Sequence, residues 1–434
     1  MRVVRAEGVA AALDRARDRI EEWRADRSAR PIGETGFGHA PILNVLGFPA
    51  VARLGGVPIQ LRRRLAFEAG QRPSALLTRR PGGWRLDRRD VDVPYREVLC
   101  WDAPEPTGPV LDDAGDEDTV SRALEATDAR ALHLEGLAGL APRSMLRAVR
   151  GTRLIVTVHD FTPYCPRPHL WEAPASRFCA FSRDEARCHA CLSADFAVPR
   201  GFEREWRAAM ADLLAAADAI VYPSSYLRDA WRALLPQLDP QRQHVIEPGA
   251  SEAHPPASRP ARPLGHVALV GAATAAKGAA LLPEIVRATD LRFTVLGGGD
   301  AALLGSLRGL PRTRVRGYYR AGTLPRQLVA RGVDVALLLS LVPESYGMTL
   351  DECWRAGVPV VAFDHGAIAE RVRRLGGGVL VPLESGASGV AEVLRALRDG
   401  TTPRPDVPLP AALTTPAQAA RTHLLLYRRL DLLA

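Results

Sequence analysis

Residues 333–363, VDVALLLSLVPESYGMTLDECWRAGVPVVAF, hold two apolar runs separated by a glycine-bearing loop and a short charged segment. Apolar runs of this length, bounded by Gly and Pro, predict buried strands in DVALLL and VPVVAF. The segment between them predicts a helix that starts near Met348. A strand, a helix and a second strand in succession form a βαβ unit, and its two strands must run parallel.

The same alternation spreads outward from this unit. VALVGA (267–272), RFTVLGG (292–298), RVRGY (314–318) and GVLVPL (378–383) are four more strand candidates, with helical segments between most of them. In the first half, PILNVLGF (41–48), SALLTRRPGGWRL (74–86), ARALHLEGL (129–137), TRLIVTVHD (152–160) and DAIVYPSS (218–225) repeat the pattern. The Pro/Ala-rich stretch EPGASEAHPPASRPARPL (247–264) is the best linker. The predicted fold is therefore α/β, with two Rossmann-like doubly wound domains facing across a cleft. The predicted boundaries are a helical extension over 1–38, a first domain over 39–255 with a cysteine-rich insertion at 160–192, a second domain over 264–408, and a helix over 409–434 packing back on the first domain. Ligands of open α/β sheets bind at the carboxyl ends of the strands.

Composition narrows the partners. A chain of 434 residues with 47% hydrophobic residues can fill two ordinary cores. Its N-terminus alternates charges and lacks the apolar stretch of a signal peptide, and no apolar run spans a bilayer. A cytoplasmic protein is expected, able to lie on the cytoplasmic face of a membrane. The net charge of +8 suits a nucleotide or an anionic membrane surface. Nucleic acid is not expected, because the basic residues are spread along the chain. Of the 57 basic residues only Lys277 is lysine, and Asn44 is the only asparagine. A lysine that survives such depletion marks a place where a compact ammonium works and a planar guanidinium does not.

Lys277 follows the strand VALVGA and a loop bounded by Gly271, just before a predicted helix, which suits a pyrophosphate. Glu344 precedes the helix of the opening stretch and Glu352 lies about one turn inside it. Carboxylates so placed can accept hydrogen bonds from the vicinal diols of a sugar and a ribose. The amides of Gly347, Met348 and Thr349 can cradle phosphate or sugar at the helix start. A solvated acidic helix start would give the same residues.

The stretch from Val267 to Pro382 resembles the C-terminal domain of family 4 glycosyltransferases, a retaining family of GT-B fold, through PES-YG-TL-E-AG-PVVA. The resemblance implies a UDP-, GDP- or TDP-sugar donor, with Glu352 on the ribose, Glu344 on the transferred sugar and Lys277 on the diphosphate. The loop Tyr318–Leu324 would hold the nucleobase. The family commonly has an arginine where this chain has Ala272. In the first half, LGGVPIQLRRRL resembles the family's Gly-Gly-Val loop and helix, which puts Gly55 and Gly56 near the donor phosphates. His159, ending TRLIVTVHD, would contact the sugar or the acceptor, while His133 reads as structural or functional on equal terms. The implied reaction is transfer to an acceptor hydroxyl with retention, in polysaccharide, glycolipid or natural-product glycosylation, with no catalytic metal. Asp160 would be the base if the reaction inverted instead.

Cys165, Cys179, Cys188 and Cys191 stand with zinc-ribbon-like spacing. A structural zinc ion is expected, with buried free thiols as the plain alternative. Two other functions remain at this point: a nucleotide-sugar epimerase on the same fold, and a zinc-containing nucleic-acid-binding protein.

Overall fold

The computed structural model describes residues 11–17, 20, 29–31, 37–48, 56–89, 96–104, 106–172, 174–249 and 263–433. Most of the expected N-terminal helix and of the linker, and Gly55, lie outside the described residues. The chain divides into two compact units. One comprises Met1–Glu22, Ser176–Phe178 and Gly249–Thr415; the other comprises Trp23–Ala175, Cys179–Pro248 and Pro416–Ala434.

The second of these, the N-terminal unit, is built on β1 (Ala29–Pro31), β2 (Ile42–Leu46), β3 (Ser74–Arg80), β4 (Gly83–Arg89), β5 (Arg96–Asp102), β6 (Ala131–Glu135) and β7 (Arg153–Thr157). The chain then passes through two short strands, β8 (Trp171–Glu172) and β9 (Arg177–Phe178, which is assigned to the other unit), before β10 (Ala219–Tyr222) and β11 (Gln243–Val245). The sheet order is β1-β5-β4-β3-β2-β6-β7-β10-β11. One part departs from the expected all-parallel sheet, since β3, β4 and β5 pair antiparallel. Pro81 and Gly82 join β3 to β4 directly, with Gly82 at φ 78°. A two-residue turn leaves no room for the crossover that a parallel pair needs. The remaining pairs in this sheet are parallel. The C-terminal helix, Pro416–Arg429, belongs to this unit. Its Leu424, Leu426 and Tyr427 pack with Ile42, Ala131, Ile155 and Val221.

The C-terminal unit contains β12 (His266–Val270), β13 (Arg292–Leu296), β14 (Thr313–Gly317), β15 (Val335–Leu338), β16 (Val360–Phe363) and β17 (Gly378–Val381). All pairs are parallel, in the order β14-β13-β12-β15-β16-β17. These are the six strands read from the sequence, and the order reverses between β12 and β15, which makes the switch point where doubly wound sheets bind ligands. Both faces are covered. Val267, Leu269, Phe293 and Val295 pack on one side, and Ala268, Val270, Leu296, Leu324 and Leu328 on the other.

Candidate functional site

The switch point gathers the C-terminal candidates. The chain leaves β12 at Gly271, turns through Thr274, whose carbonyl accepts from the Lys277 amide at 3.2 Å, and enters a 3₁₀ turn at Ala279–Leu281. The α-helix predicted to begin at Lys277 starts only at Leu282. Gly278 makes the intervening bend at φ 72°, where a Cβ would stand 1.9 Å from the carbonyl oxygen of Leu339. Glycine alone lets the loop lie this close to the end of β15. Lys277 Nζ then reaches Glu344 Oε1 at 2.6 Å, with both side chains about three-quarters buried.

The Glu344 loop is fixed from the next helix, Gly366–Leu375. The Ala367 amide donates to the Glu344 carbonyl at 2.8 Å, and a Cβ on Gly366 would lie 2.7 Å from the Glu344 nitrogen. His365 Nε2 bonds the Ser340 carbonyl at 2.7 Å. Gly347 caps the Met348–Arg355 helix at φ 81°, ψ 68°, which leaves the Met348 and Thr349 amides in the first turn. A Cβ on Gly347 would meet Ile368 Cγ1 at 2.6 Å. Beneath that helix, buried Arg371 pairs with Asp351 and lies 4.1 Å over the Tyr346 ring. Glu352 is buried, and burial of Tyr319 together with the Glu352 charge pushes the Tyr319 hydroxyl well above its ordinary pKa. Tyr319 belongs to the loop that family resemblance assigned to the nucleobase. Lys277, Glu344, Gly347, Met348, Thr349 and Glu352 thus all lie on loops or a helix start beyond the carboxyl ends of β12 and β15.

Spacing alone does not single out His365, Gly366, Arg371 or Asp351, although FDHGAIAER (363–371) carries a signal for the first three. A glycine directly after a strand and His365 marks a backbone that another loop must approach.

In the N-terminal unit, Gly56 begins the Gly56–Glu68 helix and is exposed. His159 lies just past β7, with its side chain 8% exposed. Gln60 Nε2, from that helix, lies 2.8 Å from His159 Nδ1. With the amide donating there, the ring proton sits on Nε2, which has no hydrogen-bond partner among the described residues. Burial, assisted by the Arg64 charge, lowers the imidazole pKa to about 3. The folded protein therefore favours the neutral imidazole of His159 near neutrality. Arg64 binds Glu135 at 2.5 Å and Asn44 at 2.7 Å, and faces Glu68 at 3.1 Å. Asn44 donates onward to the Ala75 carbonyl at 2.9 Å. His133 is settled as structural, because Tyr427 and Thr157 occupy its two nitrogens at 2.8 and 2.7 Å. Asp160 accepts from the Thr162 amide at 2.8 Å, and burial raises its pKa.

The four cysteines come together around one small cavity with Tyr164, Arg187 and Arg207 on its wall. The expected zinc is not met there. Among the described residues no group of three or more His, Cys, Asp or Glu side chains is placed to hold a metal ion. Burial pushes the Cys165 thiol up to about 12 and raises Cys179. Cys188 donates to the Ser182 carbonyl at 3.5 Å and lies 3.6 Å from the Arg207 guanidinium. No helix among the described residues is long and apolar enough to cross a membrane.

Residues 267–399 match the family described as Glycosyl transferases group 1. A search of curated proteins finds no match. Among solved structures, a sucrose-phosphate synthase from Thermosynechococcus elongatus superposes with a TM-score of 0.60 at 18% identity, covering 91% of this chain and 99% of its own. A glycosyltransferase from Rickettsia africae gives 0.56 at 13% identity, covering 91% and 98%. The Anabaena protein HepE in complex with UDP gives 0.54 at 14% identity, covering 91% and 96%. The fold is that of GT-B glycosyltransferases, and within the C-terminal unit residues 267–399 are similar to the group 1 glycosyltransferase family.

Proposed function

We propose that this protein transfers a sugar from a nucleotide-sugar donor to an acceptor hydroxyl with retention of anomeric configuration. The observation that carries the reading is the Lys277–Glu344 pair at 2.6 Å, set at the switch point beside the helix start of Gly347, Met348 and Thr349. An ammonium and free helix-start amides favour an anion, and a carboxylate among them accepts hydroxyl protons.

In this reading Lys277 and the amides stabilise the charge that grows on the departing diphosphate. Glu344 orients hydroxyls of the transferred sugar. Glu352 accepts from the ribose beside Tyr319. The UDP bound by HepE supports a nucleoside diphosphate as the leaving group. The neutral Nε2–H of His159 donates a hydrogen bond to the sugar and moves no proton. The acceptor proton passes to the departing phosphate, so the protein contributes orientation and electrostatic stabilisation. Asp160 is held by Thr162 and plays no part as base.

A thermal-shift screen with UDP, GDP and TDP, followed by NMR of the product's anomeric proton, tests the proposal. Stabilisation by one nucleoside diphosphate that Lys277→Ala abolishes is expected, together with a retained anomer. An inverted product refutes retention. Interconversion of the donor sugar without acceptor assigns the site to an epimerase.

A further inference from the structure

A second cavity lies in the C-terminal unit, away from the strand ends that carry Lys277 and Glu344. It measures about 520 Å³ and is lined by Arg292, Arg312, Arg314, Arg316, Arg331 and His266, with Phe293, Thr294 and Thr313. His266 and Arg292 begin β12 and β13 side by side, and Thr294 pairs with Arg314 of the edge strand β14. Side chains of one strand alternate between faces, so His266, Arg292, Thr294 and Arg314 share a face with Ala268, Val270 and Leu296. Further along, that face is apolar and covered by Leu324 and Leu328 of the Leu324–Arg331 helix. Where β13 and β14 begin, the apolar covering gives way to guanidinium groups.

Their charges are not balanced locally. No carboxylate lines the cavity. Arg312 is spent on carbonyls, donating to Val286 and Thr289 at 3.1 and 2.8 Å. Arg292, Arg314 and Arg316 make no hydrogen bond or ion pair among the described residues. Arg331 donates through Nη1 to the Gln327 carbonyl, but its Nε is buried without a partner among the described residues. Burial and the charge of Arg316 lower the Arg331 pKa, as expected where like charges crowd. Arginine is abundant in this chain, yet acidic residues are nearly as many, 49 against 57 basic. Composition alone would give such a wall of nine residues about one of each sign, whereas this wall has five arginines and no acid.

We propose that this cavity binds a phosphate-bearing polyanion, at a site separate from the nucleotide-sugar site. The volume falls within the range of about 300–1,000 Å³ usual for small-ligand sites. Guanidinium forks match phosphate oxygens two at a time, and several forks converging from two strands and a helix call for several negative charges. A single carboxylate would neutralise only one of them. The ligand is either a free phosphorylated molecule or the phosphate headgroup of an anionic lipid.

The test uses the full chain, the exposed double substitution Arg314→Ser/Arg316→Ser, and Lys277→Ala as the control for phosphate binding at the donor site. Inorganic pyrophosphate is titrated calorimetrically in one arm. In the other, phosphatidylglycerol vesicles are sedimented with the protein against phosphatidylcholine vesicles. Binding should weaken about 10- to 100-fold in the double variant and persist in Lys277→Ala. A response in the pyrophosphate arm identifies a free phosphate ligand, and one confined to vesicles identifies a lipid headgroup. Wild-type binding by the double variant in both arms, or no binding by the wild type in either, overturns the proposal. Donor binding that fails while this site still responds would count against the proposed function alone.

Discussion

Replacing His159 by glutamine should make the N-terminal unit less sensitive to acid, although it removes a polar ring from a buried place. The imidazole is surrounded by Gln60, Arg64 and Glu135, with His133 and His423 close by. Its pKa falls from 6.5 in the free side chain to about 3 in the folded protein. The folded state therefore holds the neutral ring, while the unfolded chain takes up a proton as the pH drops through 6.5. The stability associated with this group is complete above about pH 6.5 and is lost progressively as the pH falls toward 3. Each pH unit in that window is worth about 1.4 kcal/mol, so moving from about pH 7.5 to about pH 5 costs roughly 2 kcal/mol through His159 alone. His133 and His423, also depressed by burial, act in the same direction. Urea unfolding followed by tryptophan fluorescence reads this unit well, because among the described tryptophans all but Trp354 lie in it. His159→Gln should lose about 2 kcal/mol less than the wild type over that interval, whatever its stability at neutral pH. Equal losses would show that the ring titrates normally in the folded protein, and the assignment of His159 as a neutral donor would fall.

Lys277→Ala and Lys277→Arg should both lower turnover by about 100-fold or more in initial-rate assays, since the turn at Gly278 holds one ammonium 2.6 Å from Glu344. Near-normal rates for Lys277→Arg would defeat the argument. Glu352→Ala should weaken binding of the free nucleoside diphosphate by about tenfold in calorimetry, whereas Glu344→Ala should lower kcat and leave that binding nearly intact. Gly347→Ala should destabilise the C-terminal unit by about 1–3 kcal/mol, because its Cβ would stand 2.6 Å from Ile368 in a left-handed turn. Unfolding followed through Trp354 in a background lacking the other tryptophans measures it, and an unchanged midpoint would contradict the contact.

The C-terminal unit was legible because its strands, apart from the arginine-bearing edge strand β14, are largely apolar runs and its site residues lie in short loops directly after them. Local pattern and spatial position coincide there. In the N-terminal unit they separate. The hairpin of β3 and β4 is rich in arginine, with Arg79 buried against Asp116 and Trp84, so its apolar alternation is diluted. β5 and β11 are similarly faint, and β1 is three residues long. Gln60 and Arg64 could not be found from spacing, since their partners are 99 and 71 residues away. The cysteine spacing suggested a metal, but spacing fixes neither the direction of a side chain nor its protonation.

The two rarest polar residues in the sequence show what such scarcity does and does not mean. Asn44 occurs once and is structural, held at both ends between Arg64 and the Ala75 carbonyl on a central strand. No charged side chain could accept from a guanidinium and donate to a carbonyl at the same point. Lys277 also occurs once, but it lies at a loop and is a quarter exposed. Its one ion pair leaves the ammonium with donors to spare, whereas Arg64 has buried partners around its fork. A planar cation held by buried partners suits a fixed interior, and a compact, partly engaged one can turn toward an incoming phosphate. Scarcity therefore marks a position where substitution is chemically awkward. Whether that position serves the fold or the reaction is decided by how many of its hydrogen-bonding groups the protein itself already uses.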